Sequence, residues 1–122
     1  MKTANILLVD DNDDVREITA LFLRDSGYNV LEASSGSAAL DVLDANSAID
    51  LLILDFAMPS MSGMEVLERA RAKRSEIKAV FITGYADQPR LSGKFENELV
   101  IRKPYTADQL ALAVHSALGQ SE

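Results

Sequence analysis

Five short runs dominated by Val, Ile and Leu, near residues 5–9, 28–33, 50–54, 78–82 and 98–102, alternate with segments whose apolar residues recur at helical spacing. Such alternation marks repeated strand–helix–strand units, in which each strand is covered on both faces and reads as an unbroken apolar run. Leu51-Leu52-Ile53-Leu54 is the clearest case. The pattern predicts an α/β fold: a single doubly wound sheet of five parallel strands with helices on both faces. Right-handed crossovers and the common layout of such sheets give strand order 2-1-3-4-5, with the switch point between strands 1 and 3.

The intervening helices have recognisable ends. The first is predicted from Asp13 to Asp25, capped by Asn12, with Val15, Ile18 and Phe22 on its apolar face and Gly27 stopping it. The second, Ser37 to Ala45, offers Ala39, Val42 and Leu43, and the third, Gly63 to Lys73, offers Met64, Leu67 and Ala70. The last opens at Thr106, where Gln109 completes a capping-box pattern, and turns Leu110, Val114 and Ala117 inward. Between Gly84 and Glu98, Pro89 and Gly93 interrupt any apolar face, so only a short or poorly formed helix is expected there.

With 122 residues and no linker, repeat or low-complexity tract, residues 1–122 are expected to form one domain. The net charge of -7 argues against a nucleic-acid face, which needs clustered Lys and Arg. The densest basic group, Arg69, Arg71, Lys73 and Arg74, falls at a helix end, where cations suit the dipole. No cysteine is present, which removes disulfide and thiolate chemistry. No apolar run reaches the roughly 18 residues of a membrane span, and there is no signal-peptide block, so a soluble cytoplasmic protein is expected.

Polar residues stand where four of the apolar runs stop: Asp10-Asp11, Asp55, Thr83 and Lys103-Pro104. In a parallel sheet they share the carboxyl edge, where ligands of open α/β sheets bind. At about 4.8 Å per strand the four ends span roughly 15 Å, a gap that side chains can close. Three carboxylates gathered there repel one another, and an all-oxygen site of this kind suits Mg²⁺ with phosphoryl oxygens as further ligands. Thr83 is able to donate a hydrogen bond to such an oxygen, and Lys103 brings a compact positive charge. Asn12, Asp13 and Asp14 already supply the helix caps, which frees Asp10-Asp11 for a metal.

Leu8-Val9-Asp10-Asp11, Asp55 with Met58-Pro59 and Gly63, Thr83-Gly84 and Lys103-Pro104, in this order and spacing, resemble the receiver domains of two-component response regulators over essentially the whole chain. The resemblance implies a flavodoxin-like sheet and a phosphoacceptor function in two-component or phosphorelay signalling. It makes Asp55 the acceptor of a phosphoryl group from phosphohistidine, with Asp10, Asp11, Asp55 and the backbone carbonyl of Ala57 around Mg²⁺. Thr83 and Lys103 would hold phosphoryl oxygens, and Pro104 would follow a cis peptide. The implied partner is a histidine kinase or a histidine-containing phosphotransfer domain, or a kinase core in the same polypeptide, with neither nucleic acid nor membrane as a direct partner. Docking is expected on the first helix, with Val15, Ile18 and Thr19 as candidates. An enzyme label fits poorly, since the product is the modified protein itself.

The chain also departs from what the resemblance implies. Many receivers carry Tyr or Phe where this one has Val100, so the usual aromatic switch is missing. The interval from Thr83 to Lys103 is short, and the segments around both residues look most like receivers attached to hybrid histidine kinases. Ala57 and Tyr85, which border the path of hydrolytic water in the family, offer no acid or amide, and slow self-dephosphorylation is expected. Two other functions compete: an interaction module that ignores phosphorylation, and a hydrolase with an aspartyl nucleophile. The latter commonly needs a second Asp where Ala57 stands, and a flavin site would need a phosphate cradle in place of the acidic first turn. His115, the only histidine, lies near a helix end and is read as structural.

Overall fold

A computed structural model describes residues 3–84 and 98–119. Along the chain they form β1 (Asn5–Val9), α1 (Asp13–Asp25), β2 (Asn29–Ala33), α2 (Gly36–Ala45), β3 (Leu51–Asp55), α3 (Gly63–Lys73), β4 (Lys78–Thr83), β5 (Leu99–Arg102) and α4 (Ala107–Ala117). The strands make one five-stranded sheet in order β2-β1-β3-β4-β5, with every neighbouring pair parallel. This is the expected doubly wound topology. The short helix expected between Gly84 and Glu98, and with it Tyr85, lies outside the described residues.

Strand periodicity divides the core between two faces. Leu7, Val9, Leu52, Leu54 and Phe81 pack with α2 and α3, while Ile6, Leu8, Ile53, Val80 and Ile82 pack with α1 and α4. Every residue of β3 is buried, because helices cover it on both sides. Each fully buried Leu or Ile side chain contributes about 1.5–3 kcal/mol relative to exposure, so the central strands anchor the fold.

Side-chain caps set where the helices begin. Asn12 accepts from the Val15 N–H at 3.0 Å, Ser35 from Ala38 at 3.1 Å and Ser62 from Glu65 at 3.2 Å. Thr106 and Gln109 form the full reciprocal capping box. Each cap is worth about 1 kcal/mol and fixes the angle at which the chain leaves the carboxyl edge.

The buried face of α1 differs from the expected stripe. Thr19, Ala20 and Leu23 face the core, whereas Ile18 is 53% exposed and Val15 and Phe22 are half-buried. Apolar spacing alone did not separate the two sides, because a threonine takes a core position. Val42, Met64 and Ala117 likewise stand at the margin of the core, and Val66 takes a place the sequence reading did not assign.

The basic residues at the end of α3 are engaged locally. Arg71 makes a two-pronged ion pair with Glu98 at 2.5 and 3.3 Å, Lys73 meets Asp44 at 2.5 Å and Arg69 meets Glu65 at 3.1 Å. Arg74 donates to the carbonyls of Leu43 and Asn46. These contacts tie α3 to α2 and to the chain entering β5. Among the described residues, no helix is long and apolar enough to cross a membrane.

Candidate functional site

Parallel pairing carries the ends of β1, β3, β4 and β5 to one edge of the sheet. Asp10 follows β1, Asp55 ends β3, Thr83 ends β4 and Lys103 follows β5. The four signals read from the sequence therefore meet. Asp10, Asp55 and Thr83 are almost wholly buried, and Asp11 is exposed at the rim.

Local bonds fix each group. The Asn12 N–H donates to Asp10 Oδ1 at 2.9 Å, while Asp10 Oδ2 has no hydrogen bond among the described residues and faces Lys103 Nζ at 3.4 Å. Lys103 Nζ also lies 3.7 Å from Asp55 Oδ2. The Lys103 N–H bonds the Thr83 carbonyl at 2.9 Å, extending the β4–β5 ladder into the site. The following peptide, Lys103-Pro104, is cis, as expected.

Gly63 brings the start of α3 against the acidic edge. A Cβ there would lie 2.5 Å from the Asp55 carbonyl oxygen, so no side chain fits without displacing backbone. The Gly63 N–H donates to the Phe56 carbonyl at 3.0 Å, and the Phe56 N–H to the Ile82 carbonyl at 2.7 Å. The chain leaving Asp55 is thus held from both sides.

Burial, and then the charge of Asp10, push the Asp55 carboxyl up to about 7, while Lys103 pulls it down. Burial opposes the charge of Lys103, but Asp10 and Asp55 outweigh it and raise the lysine above its ordinary value. One ammonium cannot balance three carboxylates.

Oxygens of Asp10, Asp11 and Asp55 all lie within 4.8 Å of one another, a set of hard ligands suited to Mg²⁺. The fit rests on this geometry together with the Asp10 oxygen that no hydrogen bond satisfies. Thr83 Oγ1 is likewise buried, with no hydrogen-bond partner among the described residues. Such an atom costs about 1–3 kcal/mol unless something polar reaches it. The carboxylates call for a cation, and Thr83 and Lys103 are placed at the same edge as donors for an oxygen ligand.

Residues 6–115 match the family described as Response regulator receiver domain. The chain belongs to that family. As a receiver domain it has a phosphoacceptor role in signalling, and receivers bind Mg²⁺ at an acidic cluster such as this one. It is 32% identical over 98% of its length to "Sensor kinase CckA" of Brucella abortus, of which it spans 13%. It is 28% identical over 97% of its length to "Sporulation initiation phosphotransferase F" of Bacillus subtilis, of which it spans 96%. The solved receiver domain of the hybrid histidine kinase CckA superposes with a TM-score of 0.80 at 34% identity, covering 94% of this receiver and 99% of that chain. Against several curated relatives the receiver spans about half of their length or less.

Several supporting residues escaped the sequence reading. Arg16 donates to the Asp10 carbonyl at 2.8 Å and pairs with Asp13 at 2.8 Å and Glu32 at 3.3 Å, so β2 braces the turn that carries the acids. Its helical position is visible in the sequence, but its partners come from three different segments. Ala57 lies in the exposed loop after Asp55, and Val100 sits on exposed β5 paired with Phe81. Thr19, expected at a docking surface, is only 1% exposed and instead contacts Tyr105. Of the three candidates, Ile18 is the most exposed.

Proposed function

We propose that this receiver accepts a phosphoryl group on Asp55 from a phosphohistidine, with Mg²⁺ held by Asp10, Asp11, Asp55 and the Ala57 carbonyl. The observation that carries the reading is the convergence of the three carboxylates with Lys103, at the sheet edge where Thr83 ends β4 with a buried hydroxyl that has no hydrogen-bond partner among the described residues. When bound, Mg²⁺ supplies the positive charge that keeps Asp55 ionised and offsets charge on the transferred group.

An ionised Asp55 oxygen forms the new P–O bond as the donor's P–N bond breaks, and the bonding pair returns to the imidazole nitrogen. Lys103 and Thr83 meet the equatorial phosphoryl oxygens, so the chain contributes positioning and charge stabilisation rather than a proton. The rigid end of β3 holds the nucleophile, and the small side chain of Ala57 leaves the approach open.

The donor is a histidine kinase or a histidine-containing phosphotransfer domain in the cytoplasm, acting on residues 1–122 as one receiver unit. Likeness to sensor kinases that are much longer than this chain supports a kinase core in the same polypeptide as one source. The α1 side suits docking because Val15, Ile18 and Phe22 line a groove of about 390 Å³ with Lys103 and Pro104.

Incubation with acetyl phosphate and Mg²⁺, followed by intact-mass and peptide mass spectrometry, tests the assignment. One phosphoryl adduct on Asp55 is expected, and none should form when Mg²⁺ is chelated beforehand or in Asp55→Asn. An adduct that persists in that variant would place the acceptor elsewhere.

A further inference from the structure

Thr19 is the one hydroxyl residue on the buried face of α1, and its Oγ1 lies 2.5 Å from the hydroxyl of Tyr105. The two residues are 86 positions apart, and Tyr105 comes two residues after Lys103. A threonine in an apolar helix face is retained at little cost only when its hydroxyl is bonded, and here the ring that bonds it belongs to the turn carrying the lysine.

That turn is held at two points. On one side the Lys103 N–H is fixed to the Thr83 carbonyl, which sets the lysine's backbone against β4. On the other, Tyr105 packs against the α1–α4 side of the core and reaches α1 through its hydroxyl. Burial pushes the phenol above its ordinary pKa, so the contact is between two neutral hydroxyls. Between these points Lys103 projects over Asp10 and Asp55 at 3.4 and 3.7 Å.

We propose that Tyr105 is a positioning residue, whose hydroxyl bond to Thr19 clips the Lys103–Pro104 turn to α1 and keeps the lysine ammonium over the acidic pair. The proposal rests on the reading of Lys103 as a phosphoryl-binding group. It links the helix that lines the docking groove to the cation that meets the transferred group, so that contact with α1 and alignment of Lys103 share one strut.

Two measurements on the full chain test the clip. Carbon-13 relaxation of the Lys103 side-chain methylenes reports how well the lysine is held and requires no phosphoryl transfer. Initial rates of adduct formation with acetyl phosphate and Mg²⁺ report the consequence. Tyr105→Phe and Thr19→Val should each lower methylene order and slow labelling roughly threefold to tenfold, the range set by one ordinary hydrogen bond. Thr19→Ser should keep the wild-type behaviour. The double variant should be no slower than either single one, and Tyr105→Phe should add nothing in a Lys103→Ala background. A Tyr105→Phe protein that melts earlier yet keeps both Lys103 order and labelling rate would reduce the bond to a packing contact and overturn the proposal. So would equal slowing by Tyr105→Phe with and without Lys103. Failure of the wild type to form any adduct would instead sink the phosphoacceptor reading, while the relaxation measurement would still decide the clip.

Discussion

Gly63 presses against Asp55 so closely that a methyl group on its α-carbon would stand 2.5 Å from the Asp55 carbonyl oxygen. The carboxylate of Asp55 is therefore placed by a helix as well as by its own strand. This contact crosses from α3 to β3 at the point where the chain leaves the sheet.

Gly63→Ala should displace the Asp55 backbone, lower stability by about 1–3 kcal/mol and slow adduct formation on Asp55. Gly27→Ala gives the contrast, since Gly27 has φ +98° with nothing within 4 Å of an added Cβ. It should cost about 1 kcal/mol through backbone strain and leave adduct formation unchanged. Urea unfolding and labelling kinetics of both variants check the pair. Equal labelling defects in the two would remove the special role of the Gly63 contact.

Metal-free protein should lose stability to Asp55 ionisation as pH rises. Its carboxyl moves from an ordinary value of 3.8 to about 7 on folding, so the folded state holds a proton that the unfolded state has released. The associated stability is fully present below about pH 4 and is lost as pH passes through about 7. Asp55→Asn should thus gain on wild type across that interval, on the order of a few kcal/mol, when both are measured in chelator. Mg²⁺ should shrink the gap. A gap that is flat with pH would show that Asp55 is not strained by its neighbours.

Thr83→Val should uncouple stability from function. Among the described residues the buried Oγ1 has no hydrogen-bond partner, and a methyl of similar volume removes that cost, so the unfolding free energy should stay level or rise by about 1 kcal/mol. Adduct formation should nevertheless slow by at least tenfold, because the proposed donor to the phosphoryl group is gone. A stability loss above about 1 kcal/mol would reveal a partner for this hydroxyl in the free protein.

Lys103→Ala removes the only cation shown within 4 Å of the Asp10 and Asp55 carboxylates among the described residues. The variant should lose about 1–3 kcal/mol without metal and recover more of it on addition of Mg²⁺ than wild type does. Thermal melts across a Mg²⁺ titration measure this. Identical Mg²⁺ responses would mean that ammonium and metal do not share the carboxylates.

The sheet was legible because strands buried on both faces leave long apolar runs, and the edge rule then brought Asp10, Asp55, Thr83 and Lys103 together from positions far apart in the chain. Spacing placed Phe22 against the core but misjudged the centre of the buried side of α1, since Thr19 occupies a core position that hydrophobic periodicity assigns to carbon side chains. Its presence inside makes sense only with Tyr105, and nothing near residue 19 announces a partner 86 positions later. Arg16 was hidden for the same reason: its bonds to the Asp10 carbonyl and to Glu32 join β1, α1 and β2. Gly63 was visible as a helix start, but its exclusion of a side chain depends on the nearness of another backbone.

All five residues of β3 are sealed away from solvent, and Asp55 is the last of them. On the reading proposed above, the group that would gain charge is thus mounted on a strand buried along its whole length. Any rearrangement that answered phosphorylation there would begin in the neighbours that face the carboxylate, above all the lysine turn beyond β5, so that the news would travel sideways along the rim while its point of origin stood still.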